Sequence, residues 1–89
     1  MAKSKYTDQE IFDKVLEITQ AVVPKFNADG ITMASGITKD MNLDSLNFVM
    51  IICKIEAFYG IKFDDKKWQK LQTGQELVDE IQRLLAKKK

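Results

Sequence analysis

The stretch from Leu46 to Tyr59 most constrains what this chain can become. Of its fourteen residues only Asn47, Lys54 and Glu56 are clearly polar. Asp44 before it is a good helix N-cap and Gly60 after it a good helix stop, so a helix is expected from Asp44 or Ser45 to about Tyr59. A helix apolar nearly all round is either enclosed on every side or divides its surface between a core and a partner. A chain of 89 residues cannot enclose one helix completely, and the run is too short to span a bilayer. Helical spacing then separates two stripes. Phe48, Ile52, Ile55 and Tyr59, flanked by Ile51 and Phe58, are the bulkier set and should face the core. Leu46, Val49 or Met50, Cys53 and Ala57 should be at least partly exposed, beside Ser45.

The rest of the chain supplies partners for the inward stripe. Ile11, Val15, Ile18 and Val22 form a helical stripe over about 8–23, widened by Phe12, Leu16 and Val23. Thr7 with Glu10 reads as a capping box, and Pro24 disfavours helical geometry at Val23. Residues 25–43 read as a long connection with turn chemistry at Asn27, Asp29-Gly30 and Ser35-Gly36, held down by Ile31, Met33, Ile37, Met41 and Leu43. Asp64 or Asp65 can cap a short third helix over about 65–71, with Trp68 and Leu71 inward. Thr73 with Glu76 is a second capping box, opening a helix over about 74–86 that carries Leu77, Val78, Ile81, Leu84 and Leu85. The expectation is a single all-α domain over 1–89, three main helices and one short one, with a long loop between the first two.

Composition narrows the function. The chain has no histidine, which excludes Ser–His and Cys–His nucleophilic pairs and histidine-rich zinc sites. The single cysteine, Cys53, allows no internal disulfide and fits a reducing compartment. No apolar leader is visible at the start, so a cytoplasmic protein is expected, with no membrane partner. Fourteen basic and thirteen acidic residues leave a net charge of +1, too balanced to indicate nucleic acid. A small helical nucleic-acid-binding module would need a basic recognition helix, and the second helix offers only Lys54. No convergent set of polar residues suggests an enzyme or a metal site.

The chemistry-bearing stretch is Asn42-Leu43-Asp44-Ser45-Leu46. A serine at the first turn of a helix sits where backbone amides point outward and the helix dipole favours an anion. A phosphodiester on Ser45 suits that place, and Asp44 can cap the helix or help hold a divalent ion during phosphoryl transfer by a partner enzyme. Asp-Ser alone is also an ordinary helix start. The apolar stripe beside it makes Ser45 look like an attachment point with a docking surface.

Here the sequence resembles the acyl carrier protein family, which shows Asp-Ser-Leu at the start of its second helix. Ile37 to Leu46 resembles the family's approach to its modified serine, with Asp40 and Leu43 in place, Met41 replacing a leucine and Asn42 a glycine. Asparagine tolerates the left-handed geometry that glycine often supplies. Glu56 to Phe63 resembles the acidic-aromatic-Gly-apolar passage out of the second helix, and 64–85 matches in length and apolar spacing without a gap. Residues 8–23 match only as an amphipathic helix. The resemblance implies an all-α four-helix bundle of acyl-carrier type. It implies a 4'-phosphopantetheine arm attached to Ser45 by a phosphopantetheinyl transferase, with Asp44 supporting. It further implies a non-catalytic monomer whose partners are an acyl transferase, a ketosynthase or other acyl-processing enzymes. Leu46, Asn47, Val49, Met50, Cys53 and Ala57 would form the docking face. Ile52, Ile55, Phe63 and Trp68 would line an acyl chain tucked between the helices.

The chain departs from the strongly acidic carriers of bacterial fatty acid synthesis. Asn47, Met50, Ala57 and Phe58 stand where those relatives often carry carboxylates, and Lys66 and Lys67 lie in the third-helix region. Steering by a negative second helix would be largely lost. The expectation is a specialised carrier for a fatty acid, polyketide or modified-lipid pathway. A peptidyl or aminoacyl carrier is the alternative, though Asn42-Leu43 favours the acyl type over the usual Gly-Gly-His/Asp approach. Cys53 reads as a packing or docking residue, Trp68 as an anchor for the short helix, and Lys87–Lys89 as a solvated helix end.

Overall fold

In the computed structural model, residues 6–37 and 43–87 are described, apart from the side chain of Asp65. Asp40, Met41 and Asn42, named above in the approach to Ser45, and Lys88 and Lys89 of the terminal run lie outside the described residues. The described residues form four helices: α1 (Asp8–Val22), α2 (Ser45–Tyr59), α3 (Asp65–Trp68) and α4 (Gly74–Lys87).

The caps read from the sequence form. At α1 the Glu10 amide donates to Thr7 Oγ1 at 3.1 Å and the Thr7 amide donates to Glu10 Oε1 at 2.8 Å. At α4 the Glu76 amide donates to Thr73 Oγ1 at 3.2 Å, while Glu76 Oε1 accepts from the Gln72 and Thr73 amides. Helix α1 stops at Val22, because Val23 before Pro24 has left helical geometry at φ −123° and ψ 90°. Gly60 ends α2 at φ 67°, a left-handed conformation that a side chain would resist.

The third helix is shorter than its pattern suggested. It holds only 65–68, and beyond Trp68 the Lys70 and Leu71 amides reach back three residues, to Lys67 and Trp68, rather than four. A helix this short gains little from propagation, and the chain must turn at once. The Ile37 amide donates to the Gln72 carbonyl at 2.8 Å, and Gly36 and Thr73 form an isolated antiparallel bridge.

That bridge explains how the long connection is held. The Gly74 amide donates to the Ser35 carbonyl at 3.1 Å and the Gln75 amide to the Met33 carbonyl at 2.6 Å. The first turn of α4 is thus stitched to the connection between α1 and α2. A Cβ on Gly74 would lie 2.9 Å from the Phe12 ring and 3.4 Å from the Met33 backbone, so glycine permits this approach. Phe26, Ile37 and Leu43 are buried as anchors, with Ile31 and Met33 half-buried.

Helix α1 packs on both α2 and α4. The centre of the core combines Ile11 and Val15 of α1, Ile51 and Ile55 of α2, and Val78 and Ile81 of α4, each no more than 2% exposed. Gln82, buried among them, donates to the Tyr6 carbonyl at 2.8 Å and to Asp8 Oδ1 at 3.0 Å, tying α4 to the start of α1. Phe63 is buried in the linker after α2, and its amide donates to Glu56 Oε2 at 2.7 Å.

Candidate functional site

Ser45 is the first residue of α2 and is exposed. Asp44 sets that start. Its backbone is extended, and its carboxylate Oδ1 accepts from the Asn47 amide at 2.8 Å. Leu43, buried just before it, pins the approach to the core. The serine hydroxyl is therefore presented at a capped helix N-terminus, where the dipole favours a phosphate.

Beside Ser45 opens a cleft of about 570 Å³. Asp44, Ser45 and Gln69 contribute polar lining, and Ile37, Leu43 and Leu71 apolar lining. Phe48 and Trp68 complete the lining, with ring centroids 5.5 Å apart and planes at 70° in an edge-to-face pair. Of the residues expected to line an acyl chain, only Trp68 borders this cleft. Ile52, Ile55 and Phe63 are 3%, 0% and 3% exposed and belong to the closed core. Helical spacing distinguished inward from outward positions. It did not show that Phe48, one turn after Ser45, lines the cleft while Ile52 does not.

Outside the cleft, α2 shows the expected second stripe. Leu46 is 70% exposed, Met50 43% and Val49 36%, and Cys53 and Ala57 are exposed with them. Asn47 is half-buried, its amide held by Asp44. Phe58 corrects the sequence reading. Expected to flank the core, it is 54% exposed, and the Lys14 ammonium of α1 sits over its ring, 4.5 Å from the centroid. The cause is rotational: on α2 Phe58 lies beyond Ile51 and Ile55, past the edge of the surface that α1 covers. It extends the exposed apolar face toward α1, where it shares a shallow depression with Lys14, Glu17, Ile18 and Ala21 of α1 and Lys54 and Ala57 of α2.

The charges on α2 do little to offset this apolarity. Lys54 is exposed, while Glu56, the helix's only carboxylate, is half-buried and engaged with the Phe63 amide. The first turn of α2 contains no acidic residue. Elsewhere, burial, helped by nearby Tyr6 and Glu10, pushes the Tyr59 phenol up to about 12. The Arg83 guanidinium, donating to Glu80 from two of its nitrogens, holds the Glu80 carboxyl below its usual range. Neither group borders Ser45 or the cleft. Among the described residues no cluster of side chains could hold a metal ion, and no helix is long and apolar enough to cross a membrane.

No protein-family model matches the chain. It is similar to the acyl carrier protein of Coprothermobacter proteolyticus, 32% identical over 74 residues that cover 83% of this chain and 89% of that one. An acyl carrier protein homolog of Mycoplasma genitalium is 35% identical over 79 residues, 89% of this chain and 93% of the relative. Among solved structures, the solution structure of the 3,7-dioxo-octyl actinorhodin acyl carrier protein from Streptomyces coelicolor superposes with a TM-score of 0.70 at 22% identity, covering 91% of this chain and 92% of that one, a likeness of fold. With an all-α bundle of this type and relatives matched over most of both lengths, the chain belongs to the acyl carrier protein family.

Proposed function

We propose that this chain is a non-catalytic acyl carrier whose cargo rides as a thioester on a 4'-phosphopantetheine arm joined to Ser45. The observation that carries the reading is the exposed Ser45 at a capped helix start, flanked by a cleft on one side and an apolar face on the other. The residues present fit such an arm. Ser45 Oγ offers the ester oxygen at a place favourable to a phosphate, and Asp44 fixes the turn that presents it. When attached, the arm supplies a thiol that the chain itself lacks near Ser45.

The chemistry of attachment belongs to a phosphopantetheinyl transferase, so this chain needs no general base of its own. It has no histidine to act as one. Its part is to present the hydroxyl, keep the arm's root in water and shelter part of the cargo in the cleft. Recognition by acyl transferases, ketosynthases or other acyl-processing enzymes falls to Leu46, Asn47, Val49, Met50, Cys53 and Ala57. Because Glu56 is engaged internally, this face offers partners apolar contact rather than negative charge. Met50 suits such a contact, being flexible and polarizable.

This argues for a specialised carrier, working as a cytoplasmic monomer in a fatty acid, polyketide or modified-lipid pathway with dedicated partners, rather than a general fatty acid carrier. Efficient service of the loaded protein by a housekeeping ketosynthase would count against that specialisation. The carrier reading is tested by intact-mass spectrometry after incubation with coenzyme A and a promiscuous phosphopantetheinyl transferase. A phosphopantetheine mass gain, absent in Ser45→Ala, is expected. No gain under conditions that modify a control carrier would overturn it.

A further inference from the structure

The carrier reading says where cargo is attached; the cleft beside Ser45 bears on which cargo is sheltered, and this inference rests on that reading. Polar Asp44, Ser45 and Gln69 share the lining of the cleft with the Phe48 and Trp68 rings. Phe48 is one turn along the inward face of α2, 8% exposed, and its ring meets Trp68 edge to face with centroids 5.5 Å apart. One and two turns further along the same face come Ile52 and Ile55, which with Phe63 are buried in the core and do not line the cleft. Protein interiors are close-packed and offer no ready room for an added chain.

We propose that the Phe48–Trp68 pair is the stop that sets cargo length: the fold shelters a short acyl chain and keeps the remainder of a longer one out of the core. Trp68 is the specificity-determining member. Phe48 is fixed on a fifteen-residue helix and is nearly buried, whereas Trp68 is half-buried on a helix of four residues. Removing the indole takes away the ring against which Phe48 packs and enlarges the cleft on that side. The apolar walls at Ile37, Leu43 and Leu71 favour the hydrocarbon of the chain, while Asp44 and Gln69 keep the thioester end in a polar setting.

The test compares protein loaded with butyryl, octanoyl, dodecanoyl and hexadecanoyl arms, following cleavage of the thioester by hydroxylamine and, separately, the melting temperature of each acylated form. Each methylene newly sheltered is expected to raise the ratio of protected to exposed cargo roughly fourfold. In the wild type, protection should rise with the shorter chains and then level off. In Trp68→Leu it should continue to rise, so that dodecanoyl or hexadecanoyl cargo is cleaved roughly tenfold more slowly than in the wild type, two added methylenes being enough for that. The melting temperature should follow the same dependence on chain length, which a merely structural role for Trp68 would not produce. If Trp68→Leu fails to fold, Trp68→Phe, which keeps a smaller ring, should move the plateau in the same direction by less. Identical length profiles in wild type and variant, or wild-type protection that climbs without a plateau to hexadecanoyl, would overturn the inference while leaving the carrier reading intact. Failure to accept any arm, seen as the absence of a mass gain before chains are compared, would overturn both.

Discussion

The two faces of α2 are built from similar residues and do different things. The inward face, with Ile51, Ile52 and Ile55, is covered by α1 and the rest of the core. The outward face, with Leu46, Val49, Met50 and Phe58, is left in water. Hydrophobicity alone does not distinguish them. The difference is coverage: burying apolar surface stabilises the fold, while the same surface left exposed is available to another molecule. One helix is therefore a structural spine along one side and, in the function proposed above, a recognition surface along the other, with Ser45 where the two begin.

Truncation on the two faces should have opposite consequences. Ile55→Ala, at a position 0% exposed, should cost about 2–5 kcal/mol, as large-to-small changes in packed cores do. The melting temperature should fall by roughly 10 °C or more in a domain of this size. A loss too small to measure would mean that the inward face is not the spine described here.

At the start of the helix, Asp44→Ala removes the acceptor for the Asn47 amide and should cost about 1 kcal/mol in denaturant unfolding. Asp44→Asn, which keeps a capping oxygen, should recover most of that. If it recovers stability but not the rate of arm attachment, the carboxylate has a role with the transferase beyond capping.

Tyr59 sharpens the comparison at the far end of the inward face. Its phenol ionises near 10 when unfolded and near 12 in the fold. The unfolded chain thus loses the proton first, and stability that is fully present below pH 10 should decline as pH rises from 10 toward 12. Tyr59→Phe should flatten that decline in denaturant titrations across the window. An unchanged slope would assign the alkaline loss to other groups.

The outward face should behave in the opposite way to Ile55. Leu46→Ala and Met50→Ala should change stability by no more than about 0.5 kcal/mol, yet slow acyl transfer to the cognate partner. That slowing should depend little on salt, because neither of the side chains removed carries a charge for screening to act on. A steep salt dependence would contradict apolar recognition.

Much of this arrangement is legible in the residues themselves. The caps at Thr7, Asp44 and Thr73 and the stop at Gly60 are local chemistry, so the helix limits can be read within a residue or two, and the exposure of Leu46, Met50 and Cys53 follows from the spacing of bulky residues. What could not be read depends on contacts between distant parts of the chain. Helix α3 ends at Trp68 because the next residues must reach the bridge between Gly36 and Thr73. Phe58 lies outside because α1 covers only part of the helix, and spacing does not give the width of that cover. The cleft depends on Phe48 meeting Trp68 across twenty positions of sequence, a contact that helical periodicity, which rightly places Phe48 in the core, does not give.

In the proposed function Ser45, and no other group on this face, bears the arm. Cys53 makes the question concrete, being an exposed thiol on the same helix. Backbone fragmentation of the loaded protein in a mass spectrometer decides it. The added mass is expected in fragments that contain Ser45 and not in those that contain Cys53 alone. The added mass on Cys53, or its persistence in Ser45→Ala, would contradict it.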